Sequence, residues 1–176
     1  MDKYLVLSAI GSDRPGIVNE LSELILECGC NIENSRMTVL GGEFAIILLV
    51  SGQWNTITKL EDGIAKLEAT LNLKVITKRT APQPHTQNEL PYAVEAICVD
   101  QKGILHELAS FFSARTINIQ DITTSHYNAP HTGTAMFSLQ MIIDVPEKVK
   151  ISRLREEFLE YADKLNIDAI LEPFKG

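Results

Sequence analysis

The chain has 176 residues, with 16 basic and 23 acidic side chains and a formal charge of −7. That length fits one ordinary domain or two small ones, and 45% apolar residues are enough for a packed core, which excludes wholesale disorder. The longest strictly apolar run, Phe44 to Val50, falls far short of the ~20 residues of a membrane-spanning helix, and no basic stretch precedes an apolar segment at the N-terminus.

Tyr4–Ile10 is an apolar run of strand length. Ile17, Leu21, Leu24 and Cys28 follow at helical spacing, with Pro15 near the helix start and Gly29 past its end. Asn31–Leu40 and Glu43–Ser51 read as two strands joined at Gly41-Gly42, a pair suited to a tight hairpin. Ile57, Leu60, Ile64, Leu67 and Leu71 predict one further amphipathic helix, and Lys74–Thr80 a last strand. Residues 81–91 carry three prolines and read as a linker.

The same order then recurs over Tyr92–Asp100, Ile104–Ser113, Asn118–Tyr127, Thr134–Val145, Ile151–Leu165 and Ile167–Phe174. A shift of 87 residues places Asp13, Gly16, Ile17, Glu20, Leu21, Asn31 and Ile32 on Asp100, Gly103, Ile104, Glu107, Leu108, Asn118 and Ile119. Seven of twenty positions match in that window, where unrelated segments share about one. The expectation is an α+β chain of two tandem ferredoxin-like βαββαβ domains, residues 1–80 and 92–176, each an antiparallel sheet with helices on one face. Such sheets leave a face and two edges uncovered, so pairing between repeats or between two chains as a homodimer is expected.

The most marked local signal is Ser12-Asp13-Arg14-Pro15-Gly16-Ile17, between the first strand and the first helix. Backbone amides at a helix start attract a carboxylate, Asp13 can accept from an ammonium group, and Asn31 offers both a donor and an acceptor. Together they could hold the two ends of an α-amino acid; equally, Asp13 could cap the helix and Asn31 brace the loop. Asp100, Gly103, Ile104, Asn118 and Ile119 repeat the pattern, with Gln101 and Lys102 in place of Arg14 and Pro15. Loss of that proline predicts a looser second turn.

The Asp-Arg-Pro-Gly-Ile turn, the following Gly29-Cys30-Asn31-Ile32 and the tandem element order resemble ACT domains, the small-molecule-sensing modules of amino-acid metabolism. Glu43-Phe44, Ser51-Gly52 and Lys78–Pro82 add to the likeness. The resemblance implies a non-enzymatic repressor that senses a small amino acid, glycine foremost. It would act by gripping a transcription activator protein, with no DNA contact of its own; the alternative is a sensor of the same kind that regulates an enzyme of amino-acid metabolism by protein contact. Ser12 to Ile17, Asn31 and Ile32 would then line the ligand site, with Asp100, Gly103, Ile104, Asn118 and Ile119 as its secondary counterpart in the second copy.

Other chemistries find little support. Residues 1–80 carry 8 basic and 10 acidic groups and residues 81–176 carry 8 and 13, so neither half offers the basic stripe of a nucleic-acid binder. Cys28 and Cys30 suit core packing better than a metal, having no second pair to complete four ligands. His126 and His131 flank the second hairpin loop and read as solvated there; His106 faces solvent and His85 lies in the linker. Glu156, Glu157 and Glu160 read as the wet face of the last helix. Phosphate loops, zinc helices and nucleophile elbows are missing from the sequence, so neither a cofactor nor a catalytic residue is expected. Three cysteines fit a reducing cytoplasm.

Overall fold

The structure is a computed structural model, and residues 2–81 and 89–175 are described. The chain divides into two compact units, Met1–Pro84 and His85–Gly176. His85 and most of the expected linker lie outside the described residues.

The first unit runs β1 (Lys3–Ser12), α1 (Ile17–Glu27), β2 (Asn31–Leu40), β3 (Glu43–Gly52), α2 (Trp54–Asp62), α3 (Ile64–Leu71) and β4 (Lys74–Thr80). Its antiparallel sheet has the order β2-β3-β1-β4. The second unit runs β5 (Glu89–Val99), α4 (Ile104–Ser113), β6 (Asn118–Asn128), β7 (Ala135–Pro146), α5 (Ile151–Lys164) and β8 (Asp168–Pro173), with the order β6-β7-β5-β8. The two sheets are one topology used twice, as the repeat requires. Glu89, Leu90 and Pro91, expected in the linker, pair with Pro146, Val145 and Asp144 as the first residues of β5.

Alternation of side chains along each strand explains where the cores sit. In β1, Leu5, Leu7 and Ala9 are buried under α1, which presents Ile17, Leu21 and Ile25. Phe44, Ile46, Leu48 and Val50 of β3 complete that layer. In the second unit Val94, Ala96 and Cys98 of β5 meet Leu108 and Phe112 of α4 and Leu154 and Phe158 of α5. The rings of Phe111, Phe112 and Phe158 lie 5.1–5.3 Å apart in tilted and edge contacts. Cys30 and Cys98 are buried in these cores and Cys28 is half-buried; all three are free thiols. Burial raises the thiol pKa of Cys30 and Cys98.

Two local features correct the sequence reading. The single helix expected over Ile57–Leu71 is two, α2 and α3, interrupted at Gly63, whose amide is shared between the carbonyls of Lys59 and Leu60 at 3.1 Å. Each edge strand β2 and β6 carries a β-bulge near its start, between Ile32 and Asn34 and between Ile119 and Asp121. The Gly41-Gly42 hairpin forms as expected, both glycines holding positive φ of 61° and 85°. Among the described residues, no helix is long and apolar enough to cross a membrane.

Candidate ligand turns

In the first unit the chain leaves β1 at Ser12 and enters α1 at Ile17. The Asp13 amide donates to the Gly42 carbonyl at 3.1 Å, tying the turn to the β2–β3 hairpin. Gly16 occupies the N-cap with φ 87°, and no side chain caps the helix, so the capping role considered for Asp13 is not seen. The Arg14 guanidinium instead lies along the first turn of α1 and grips Glu20 through both carboxylate oxygens, at 2.6 and 2.8 Å. Those hydrogen bonds hold Glu20 below the usual carboxylate range and raise Arg14.

The second turn keeps the backbone and changes the side chains. The Asp100 amide donates to the Ala135 carbonyl at 2.9 Å, and Gly103 holds φ 92°. The Glu107 amide reaches the Gly103 carbonyl at 2.9 Å, as Glu20 reaches Gly16 at 3.0 Å. The missing proline therefore does not loosen this helix start. Glu107, the counterpart of Glu20, has no arginine beside it in the turn and accepts the Tyr161 hydroxyl at 2.6 Å, which raises the Tyr161 pKa.

What occupies the space in front of this turn is a cleft of about 780 Å³. Asp100, Lys102 and Gly103 form its rim, Thr124 and His126 one wall, and Ile104 and Phe137 its apolar floor. His126 lies on β6 and is exposed, as expected, but it is not isolated: its Nδ1 is 3.3 Å from Asp100 Oδ2 and its ring is edge-on to Phe137 with centroids 5.3 Å apart. Sequence reasoning missed this wall. The signal was present, because the 87-residue shift carries past Asn118 and places Thr124 and His126 on Met37 and Val39. Both histidine and valine stand opposite a phenylalanine, His126 opposite Phe137 and Val39 opposite Phe44.

Asn31 and Ile32 do not join the first turn. Asn31 pairs with Ser51 at one end of β3, while Ser12 pairs with Glu43 at the other, eight residues away. At ~3.3 Å per residue that is about 26 Å, too far for one small ligand. Asn31 Nδ2 donates to Glu33 at 3.0 Å, and Glu33 also accepts the Ser51 hydroxyl; together these bonds lower the Glu33 pKa, Ser51 contributing most. Asn118 likewise donates to Asp144 at 3.2 Å, far along the sheet from Asp100. Ile32 and Ile119 are half-buried and pack on the two cores. The structure thus keeps Ser12–Ile17 together, and Asp100, Gly103 and Ile104 together, and separates the Asn-Ile pairs from both.

His106 is exposed on α4 at the border of the cleft. Arg153 and Arg115 both donate to Glu157, which makes it a bridge between helices rather than a bare solvated group. No cluster of three metal-ligating side chains occurs among the described residues.

Two four-stranded sheets, each with a glycine-started helix after its central strand, define a tandem ACT-type regulatory chain. The ACT domain model matches residues 3–78, almost all of the first unit. The chain belongs to the family of the glycine cleavage system transcriptional repressor: it is 32% identical to that protein of Escherichia coli K12 over 163 residues, 93% of this chain and 86% of the relative. A crystal structure provisionally assigned as a glycine cleavage system transcriptional repressor is 29% identical, with a TM-score of 0.76 over 100% of this chain and 99% of its own. A protein of unknown function from Galdieria sulphuraria shares the fold, with a TM-score of 0.81 at 24% identity over 99% of this chain and 100% of its own.

Proposed function

We propose that this protein is an amino-acid-responsive, non-enzymatic repressor of glycine cleavage transcription, acting by contact with the operon's activator protein and released by glycine. The family supports the regulatory reading, and the −7 charge agrees with a protein partner better than with direct contact to DNA. The observation that carries the ligand reading is the cleft at the second turn, where Asp100 and Lys102 set opposite charges around Gly103. A zwitterion can place its ammonium on Asp100 and its carboxylate toward Lys102 and the first amides of α4, which lack partners within the helix.

This assigns the principal site to Asp100, Gly103 and Ile104. This reverses the order expected from the sequence: the cation of the Ser12–Ile17 turn, Arg14, is held bidentately by Glu20, which makes that turn the weaker site, whereas at the second turn the ammonium would share Asp100 with His126 through a longer, 3.3 Å contact. Release follows only if glycine binds one arrangement of the protein better than the one that holds the activator. A cytoplasmic setting agrees with its free thiols.

Titration calorimetry with free glycine tests the site. Asp100→Asn and Lys102→Gln, which remove the two charges the zwitterion would meet, are each expected to weaken binding roughly ten- to a hundredfold, the loss of one charged hydrogen bond. Asp13→Asn should have a smaller effect. Unchanged affinity in both second-turn variants would remove the cleft from the site. Capture from cell extract by the tagged chain should recover a transcription activator in a glycine-sensitive manner; recovery of a metabolic enzyme instead would sink the proposed partner.

A further inference from the structure

Each sheet has one face covered by its own helices and one face that is not. The strand registers assign every residue to a face, and the two uncovered faces differ in charge. On the first unit, Val6, Ile10, Ile47, Leu49 and Ile76 form an apolar centre across β1, β3 and β4. Ile76 is 75% exposed and Ile47 48%. Lys74 and Lys78 flank Ile76 on β4 and Arg36 lies opposite Ile47; the carboxylates are Glu43 at the hairpin end and Glu33 at the other end, where it accepts from Ser51 and Asn31, so cations outnumber carboxylates here by three to two. This face is basic in a chain whose overall charge is negative.

On the second unit the corresponding centre is Ala93, Ile97, Met136, Ile142 and Ile170. Ile97 and Ile170 are 44% and 45% exposed. Around it stand Glu95, Asp121, Asp144, Asp168 and Glu172, and no lysine or arginine shares that face among the described residues. Two apolar centres built on one topology, one with an excess of cations and the other ringed by carboxylates, are complementary in the charge that steers docking and alike in the apolar surface that holds it.

We propose that these faces are the homodimer interface: the uncovered sheet of the first unit of one copy stacks on the uncovered sheet of the second unit of another, and a twofold axis makes the same contact again. Stacked sheets pack ~10 Å apart with interdigitated side chains, and alternating apolar rows on both faces suit that spacing. Four strands at ~4.8 Å and ten residues at ~3.3 Å give a face of about 600 Å². Two such contacts bury roughly 2,400 Å² in total, within the range of obligate dimers. Self-pairing of like faces is opposed, since it would set Lys74 and Lys78, or five carboxylates, against their own kind.

Sedimentation velocity on the full chain, across a micromolar concentration series, tests the pairing. The parent protein should be a dimer whose dissociation constant rises about tenfold or more from low to high salt. Lys74→Glu with Lys78→Glu should be monomeric, and so should Glu95→Lys with Glu172→Lys. Mixing the two variants in equal amounts should restore dimers, because each then meets an opposite charge on the other chain. The variant carrying all four exchanges should dimerise like the parent, which controls for folding. A monomeric parent, variants that dimerise as tightly as the parent, or a mixture that stays monomeric would each overturn the proposal.

Discussion

Gly16 and Gly103 hold φ of 87° and 92° at the two helix starts, a region that costs an L-residue about 1–2 kcal/mol. A Cβ at Gly103 would meet nothing within 4 Å, so strain alone sets the cost there. Gly103→Ala should therefore lower unfolding free energy by about 1–2 kcal/mol, and Gly103→Asn by less, since asparagine tolerates this region better. Urea titration of the two variants measures the difference; equal losses would mean that the backbone had moved away from its left-handed conformation. The same residue also fixes where the first amides of α4 point, which is why one glycine serves both the fold and the ligand turn. Gly11 is a different case. A Cβ there would sit 2.8 Å from the Asn72 carbonyl, so Gly11→Ala forces β1 and the end of α3 apart and should cost more than Gly103→Ala.

Phe158 of α5 is fully buried against Phe111 and Phe112 of α4 and joins both helices to the second sheet. Phe158→Ala should cost about 3–5 kcal/mol, whereas Leu159→Ala, one step around the helix and partly exposed, should change stability little. Thermal denaturation followed by near-ultraviolet circular dichroism distinguishes the two. Elements of this kind were legible in the sequence because the period of Ile151, Leu154, Phe158 and Leu165 is itself the packing surface. The break at Gly63 was not, since an isolated glycine in a helical pattern is tolerated as often as it interrupts. Asn31 was misplaced for a reason that elementary geometry supplies: the eleven residues of α1 span about 16 Å, so the residues before and after it lie at opposite ends of the sheet. His126 was legible only by extending the repeat into β6, where a polar side chain replaces Val39 opposite a phenylalanine shared by both copies.

Four carboxylates distributed over the whole chain share one property. Glu20, Glu33, Glu61 and Glu157 are each held below the usual carboxylate range by hydrogen bonds: from Arg14, from Ser51 and Asn31, from Arg79, and from Arg153 and Arg115. In the unfolded chain these groups regain ordinary values near ~4.3. Unfolding then takes up protons only where the unfolded carboxylates are protonated and the folded ones are still ionised, that is, between the folded and unfolded pKa values. Their stabilisation is therefore present above the unfolded pKa and is lost as pH falls through the folded ones. The melting temperature should stay level from neutrality to about pH 5 and fall progressively below it. Glu157 is the most informative of the four because one carboxylate serves two arginines from different elements, Arg153 on α5 and Arg115 beyond α4. Glu157→Gln should melt below the parent at neutral pH, and the two curves should converge under acid, where the parent carboxylate is protonated as well. Curves that run parallel from neutrality into acid would show that Glu157 acts through packing alone, its ionisation contributing nothing to the fold.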